Sequence, residues 1–489
     1  MSYARPLVAA LSGAAAGLLA CSSPMLLADR RLDARAPASP SRPWAPGPEV
    51  RARYALPEDE RAPRSVPSDT PAPPGGVYDL PSLVDLALAQ NPTTRAAWES
   101  ARASEAGLGL AKAEDYPKVR LSAYGGLNNF PFPIPNQTYE IHNRLALPQV
   151  EVAYTLLDFG RRSATAEQAK QQLIAANFAL NRDMQQVVFA VQRAFYGLGA
   201  ARSSVEAATK NLELARTNRE LAEARLAVGL ATRPAVLLAR QLEAESVYEL
   251  ESARSAVQTE RAELATAVGI RADVPLEVGT LEHQPLPDAL PDRVDELVDT
   301  AISERPDLAA KVASLRAREA ALAKAKAAWF PEVGFKGEFG QALWSYDVHG
   351  FPRQNSSTND YTALLTFKWD LFTGFERPYA IRQAQAQVEA SHAELRGAEL
   401  DTVDAVWRAY YEFQSARERH RYAEALLSAS EEAYAANRET YRGGLSTISD
   451  LLTADRDLAR ARYTLIRAKT DYLDAAAAVE YAVGGGKIP

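Results

Sequence analysis

The residue best placed for covalent chemistry is Cys21, the only cysteine among 489 residues. A single cysteine forms no internal disulfide, so it serves either as a free structural thiol or as a modified one. It follows a short positively charged piece carrying Arg5, an apolar segment from Leu7 to Ala20, and a small residue, Ala20, directly before it. That order of parts predicts a secretory signal peptide over residues 1–20. The apolar segment is too short, and too rich in Ala, Gly and Ser, for a membrane-spanning helix of roughly 20 strongly apolar residues. Other chemistry is thinly represented. His142, His283, His349, His392 and His420 are scattered without metal-ligand spacing, and with no further cysteine no zinc or iron–sulfur site is expected. Neither a Gly-rich phosphate loop nor a G-x-S-x-G elbow occurs. The sequence therefore assigns no catalytic residue, cofactor or metal, and predicts a protein that is not an enzyme. A balanced formal net charge of −7 gives no nucleic-acid surface.

Between Arg35 and Gly76 the chain carries a run of prolines among Arg, Asp and Glu, from Pro37 to Pro74. Such a segment favours extended, polyproline-like backbone and has little apolar surface to bury. Residues 21–76 are expected to form an extension ahead of the folded body.

The folded body repeats itself. Pro92 matches Pro306, Pro117 matches Pro331, Gly126 matches Gly340 and Gly160 matches Gly374, all 214 positions apart. Farther on, "RAFYGLGAAR" from Arg193 faces "RAYYEFQSAR" from Arg408, and "VGLAT" from Val228 faces "GGLST" from Gly443, now 215 apart. Two copies of one unit follow, over 77–282 and 283–489, each reading as helix, strand, long loop, strand, long helix, turn, helix. In the first copy, a helix beginning near Ser82 is interrupted at Asn91-Pro92 and stopped before Pro117; in the second, one beginning near Asp292 is interrupted at Arg305-Pro306 and stopped before Pro331. Strands are expected near 118–127 and 148–157, and near 332–343 and 361–371, with long loops Leu127 to Leu147 and Gln341 to Asp360 between them. Long helices are expected over 161–228 and 232–269, and over 378–442 and 446–484. A run from Arg161 to Val228 would stretch on the order of 100 Å, and the two shorter helices of each copy would match it end to end.

Two hydrophobic periods run through these elements. In the last helix Leu451, Leu458, Leu465, Tyr472 and Val479 recur every seven residues, each followed three residues later by an alanine, from Ala454 to Ala482. A period of 3.5 predicts supercoiling against neighbours, with alanine allowing close approach. The corresponding seam in the first copy, Val236, Leu250, Val257 and Leu264, is interrupted by Glu243. The strands alternate instead. Val333, Phe335 and Phe339 oppose Glu332, Lys336 and Glu338; Tyr361, Leu365 and Phe367 oppose Thr362, Thr366 and Lys368; Val150 and Val152 oppose Glu151. Runs of about 10 residues with one oily and one wet face fit tilted strands across a bilayer, although a soluble half-buried sheet alternates in the same way. With an export signal and no later apolar helix, the reading favours an outer-membrane barrel. Four strands do not enclose a lumen and unpaired edges do not survive in lipid, so two or three chains would pool 8 or 12 strands.

From Tyr78 onward, the duplicated unit, "ERPDLAA" (Glu304 to Ala310), "AAWFPEVGFKGEFG" (Ala327 to Gly340) and "YRGGLSTISDLLTADRDLARARYTLIRAKTDYLDAAAA" (Tyr441 to Ala478) resemble the TolC-like outer membrane efflux family, in its lipoprotein branch. Leu18-Leu19-Ala20-Cys21 likewise resembles the lipobox of bacterial lipoproteins, which implies lipid on the Cys21 sulfur and amine. Ser22 in place of an aspartate agrees with delivery to the outer membrane. The resemblance implies a mainly α fold with a membrane β-barrel part: a homotrimer whose 12-stranded β-barrel continues as a long α-helical periplasmic barrel. Its partners would be a periplasmic membrane fusion protein and an inner-membrane pump, of the RND type first. The implied function is the exit duct of a tripartite efflux system, conducting small molecules passively. A type I protein secretion duct and a periplasmic coiled-coil adaptor lipoprotein are the alternatives. In that family the periplasmic end is closed by polar contacts and acidic rings near a helix turn, here Gly443 to Ser446. Tyr441 and Asp450 match the residue types used there. Ser446 stands in place of an arginine and Thr453 in place of a second aspartate. Asp450 also fits a plain role in the first turn of a helix, favoured by the helix dipole, and Tyr441 fits ordinary packing.

Overall fold

A computed structural model describes residues 76–279, 286, 293–348 and 352–485, all within one unit spanning Arg64–Pro489. Cys21, the signal peptide and the Pro-rich extension lie outside the described residues.

Each copy opens on a helix broken by a proline. In the first, α1 (Leu80–Gln90) and α2 (Pro92–Lys112) meet at Asn91; in the second, α5 (Val294–Glu304) and α6 (Pro306–Ala327) meet at Arg305. The proline suits a first helical turn, where its missing N–H is no loss. The residue before it, held in extended backbone, does different work in each copy. Asn91 accepts from Thr93 N (2.8 Å) and caps α2, while its amide donates to Ala267 O (2.8 Å). Arg305 donates from Nη1 to Ala482 O (3.1 Å). Ala267 and Ala482 sit two residues before Gly269 and Gly484, the left-handed caps (φ 92° and 79°) of the last helix in each copy, α4 (Arg233–Val268) and α8 (Ile448–Val483). A Cβ on Gly269 would stand 2.6 Å from Asn91 Cα, and one on Gly484 would stand 2.8 Å from Arg305 Cγ, so glycine is required for the close approach as well as for the cap. The start of each unit is thus clasped to its own end.

The long helices α3 (Arg161–Ala227) and α7 (Glu376–Arg442) have 67 residues each, and α4 and α8 have 36 each. At about 1.5 Å per residue the former reach on the order of 100 Å. α3 is flanked by α2 and α6 along the part nearest the strands, and by α4 and α8 along the rest. In the seam of α8, Leu451, Leu458, Tyr472 and Val479 and all five alanines from Ala454 to Ala482 are buried, with Leu465 half-buried. None of the helices among the described residues is long and apolar enough to cross a membrane.

The strands form one antiparallel sheet of order β1-β2-β3-β4, made of β1 (Lys118–Ile134), β2 (Gln137–Leu157), β3 (Glu332–Val348) and β4 (Gln354–Lys368). β1, β2 and β3 run well past the expected strands near 118–127, 148–157 and 332–343, while β4 starts earlier than the expected 361–371 and ends at Lys368, short of it. The expected loop Leu127 to Leu147 is instead a continued hairpin, closed by Pro135 and Asn136 (φ 71°), with Ile134 paired to Gln137. In the same way β3 and β4 remain paired up to Tyr346 and Gln354, within the expected loop Gln341 to Asp360. The prolines at 131 and 133 suggested loop, yet they lie two apart on an edge strand, where a missing N–H directed away from the partner costs no ladder bond. β1 and β4 present unpaired edges among the described residues.

Candidate functional site

Two surfaces of this fold could carry function: the face of the sheet and the far ends of the helical hairpins. On the sheet, strand register places Val119 beside Val152, Leu121 beside Val150 and then Phe339 and Tyr361, and Phe335 beside Tyr154 and Leu365. Leu121, Tyr361 and Leu365 are more than 70% exposed, so this oily face is uncovered in the single chain. Trp329, Phe330, Trp369, Phe372 and Phe375 are exposed where the strands give way to the helices; Phe330 stacks on Phe159 at 5.2 Å and the Trp369 indole donates to Trp329 O. An apolar band edged by aromatic rings is the pattern of a barrel wall in lipid. The opposite face of the lower strands is charged, with Lys336 paired to Glu338 at 2.7 Å.

At the hairpin ends, Tyr441, Ser446 and Asp450 share one turn but not one cluster. Tyr441 is buried with Ala235, Ile448 and Leu451, its hydroxyl makes no hydrogen bond, and burial pushes its phenol up. Ser446 accepts from the Thr440 hydroxyl at 3.1 Å. Asp450 closes a capping box. Its Oδ2 accepts from Thr447 Oγ1 (2.7 Å) and Thr447 N (2.9 Å), and these bonds hold its carboxyl below the usual range. Thr453 is exposed.

The contacts that tie the two hairpins together come from residues the sequence reading did not single out. Arg225, in the last turn of α3, donates from Nη1 to Tyr441 O (2.6 Å) and Arg442 O (3.2 Å), with its guanidinium 4.8 Å from the centre of the Tyr441 ring. It adds a side-chain donor to two carbonyls at the end of α7, of which Tyr441 O also accepts from Gly444 N (3.0 Å). Deeper in, Tyr434 of α7 donates to Asn218 Oδ1 (3.3 Å), and Asn218 of α3 donates from Nδ2 to Asp455 Oδ2 of α8 (2.6 Å). All three are buried, Asn218 completely. Burial pushes the Asp455 carboxyl up to about 6, against the opposing pull of Asn218, Arg462 and Arg456. Beside it lies a cleft of about 390 Å³ between α4 and α8 with Asn211 of α3 at its floor, lined also by Ser246, Arg456 and Tyr463. The signal for Asp455 was present in "LTADRDL": it follows Ala454 directly and precedes Leu458 by three, on the edge of the apolar seam. Its partner Asn218 lies 237 residues away on a helix whose polar pattern is uniform, so no local spacing announces the pair.

Among the described residues no group of three or more His, Cys, Asp or Glu side chains could hold a metal ion. What the fold defines is a structural duct component: an exposed apolar sheet to seat in lipid, and helical hairpins of roughly 100 Å to reach away from it. The family model described as outer membrane efflux protein matches residues 83–270 and again 297–485, and the chain belongs to that family. Protein CyaE of Bordetella pertussis is 30% identical over 381 residues, covering 76% of this chain and 78% of that one. Outer membrane protein OprJ of Pseudomonas aeruginosa is 25% identical over 73% of each. In fold, the outer membrane protein VceC of Vibrio cholerae superposes with a TM-score of 0.68 at 20% identity, over 83% of this chain and 96% of that one. The chain is an outer membrane channel of the kind used in tripartite efflux or secretion systems, with its helices extending into the periplasm. The family is one of ducts rather than enzymes, and membership sets aside the adaptor alternative.

Proposed function

We propose that three copies of this chain pool their sheets into one 12-stranded barrel and continue it as a helical conduit. The unpaired edges of β1 and β4, flanking an exposed apolar face, carry this reading. Four strands enclose no lumen, and lipid offers no partner for an open edge, so the edges are completed by further copies. The conduit is passive. Its far end meets a periplasmic membrane fusion protein and an inner-membrane pump of the RND type, which supplies the energy and selects small molecules for export. Asp450 and Ser446 line the approach to the periplasmic aperture, and Tyr441, packed in the core behind them, holds the turn that carries them. Arg225 and the Tyr434–Asn218–Asp455 chain hold the two hairpins of one copy side by side there. Cys21 carries lipid and anchors the mature chain beside its own barrel.

A photo-activated cross-linker at Ser446 in intact cells tests the partner assignment. The expected adduct is a periplasmic protein with a long helical hairpin, which in turn co-purifies with an inner-membrane pump of the RND type. Adducts only to a polypeptide-exporting ATPase assembly would instead support the secretion duct. Intact-mass measurement of the mature chain tests the anchor: acyl mass on Cys21 is expected, and an unmodified thiol would remove it.

A further inference from the structure

The internal repeat carries information about where the open edges of the sheet go. β1 corresponds to β3 at an offset of 214 residues, as Pro117 and Gly126 correspond to Pro331 and Gly340. The two hairpins match in register only if β2 corresponds to β4 at 215, because Lys118 pairs with Ala153 in the first and Glu332 pairs with Lys368 in the second. By Gly160 and Gly374 the offset is 214 again, since β2 carries one extra residue at the register shift between Thr155 and Leu157. The seam between the two units is therefore a pattern for the next seam. β2 meets β3 through Gln149↔Gly340, Glu151↔Glu338 and Ala153↔Lys336. Moved along by one repeat, the same pairings join β4 of one copy to β1 of the next as Leu364↔Gly126, Thr366↔Tyr124 and Lys368↔Ser122.

This inference rests on the shared barrel proposed above and fixes the seam within it. Wet and oily faces must agree across the seam, so the competing registers differ by two residues. A seam shifted one way would set Lys368 opposite Arg120, like charge against like, and a seam shifted the other way would set Asp370 opposite Ser122. The register carried over from the repeat sets Asp370 directly opposite Arg120 on the wet face, and Trp369 and Leu371 opposite Leu121 and Val119 on the oily face. Arg120 is exposed and makes no ion pair among the described residues, while Asp370, also exposed, stands 3.9 Å from Arg377.

The same register asks for more strand than the single chain forms. β1 is paired to β2 down to Lys118, whereas β4 stops at Lys368, the partner of Ser122. Residues 118–121 would then stand in lipid with an open edge. Trp369, Leu371 and Phe372 lie just past the end of β4, outside any strand, and are 50%, 79% and 74% exposed. The alternation of the sequence expects strand there, to residue 371, and a partner strand is what the single chain lacks.

We propose that residues 369–372 become strand only on assembly, continuing β4 against β1 of the next copy, and that an ion pair between Asp370 and Arg120 of that copy sets the register. Three such pairs stand on the lumen side at the foot of the barrel, in the row of Glu151 and Glu338.

Paired cysteines read the register directly, with the unsubstituted chain as the control for Cys21. With copper phenanthroline as oxidant, Lys368→Cys combined with Ser122→Cys should form copy-to-copy disulfides about tenfold faster than Lys368→Cys combined with Arg120→Cys or with Tyr124→Cys, whose Cβ atoms lie a diagonal apart. Faster linkage in either of those two combinations, or an intact trimer with no linkage in any of the three, would overturn the register and leave the shared barrel standing. A single chain in detergent would overturn both. Arg120→Ala should lower the temperature at which the trimer dissociates, and should lower it by a clearly smaller step when Asp370 is already alanine; equal steps would overturn the ion pair. Amide exchange at 369–372 should be as slow in the trimer as at 364–368, and fast exchange there would overturn the added strand.

Discussion

Asp455 is the residue whose charge state bears most directly on how the hairpins hold together. Its folded carboxyl titrates at about 6, above the roughly 3.9 of an unfolded aspartate, so between those values the folded chain binds the proton that the unfolded chain has released. Its contribution is therefore most favourable below about pH 4 and is lost as pH rises through 6. The loss is on the order of 2–3 kcal/mol per chain. Asp455→Asn keeps the acceptor for Asn218 and removes the titration. Thermal unfolding of the detergent-solubilised protein at pH 4.5 and 7.5 should show the variant gaining stability on the wild type at the higher pH, and parallel pH slopes would contradict the assignment. Asn218→Leu leaves the Asp455 carboxylate buried without its donor and should destabilise at neutral pH. Arg225→Ala removes a side-chain donor from two carbonyls at the end of α7, and amide exchange over 436–446 should quicken while the opposite end of α7, near 380–390, is unchanged. The Tyr441 hydroxyl makes no hydrogen bond, so Tyr441→Phe should be nearly neutral in the same measurement.

At the scale of elements, the seam of α8 makes its own demand. Ala461 is 1% exposed where α8 lies against its neighbours, so Ala461→Leu should overpack the contact and cost about 1–3 kcal/mol. Thr447→Ala removes the capping box and should cost about 1 kcal/mol, fraying the first turn of α8 and freeing the Asp450 carboxylate. Limited proteolysis near 443–450 would register that loss. The helices were legible in the sequence because period 3.5, proline at a first turn and glycine after a last turn are local signals. The strand pairs were legible only in their lower halves, where oily and wet residues alternate in the sense a membrane imposes. Above Leu127 that sense is lost and prolines occupy an edge, so a segment that keeps strand geometry loses the strand's familiar pattern. The ties between hairpins were not legible, since Arg225 reaches backbone 216 and 217 residues away and Asn218 meets its carboxylate partner on a second helix 237 residues away.

For the whole molecule, duplication explains the economy of the design. One unit clasped to its own end supplies two strands, one long helix and one shorter hairpin arm, and two units supply a sheet that is still open on both sides. Its exposed apolar face and the edges left unpaired among the described residues are what the proposed pooling of copies in lipid would complete. The number of copies is the central claim, and the mass of the natively purified protein in detergent, corrected for bound detergent, measures it most directly. Three chains per particle are predicted, migrating as a compact species that heating converts to the single chain. A monodisperse single chain, unchanged by heating, would contradict the account.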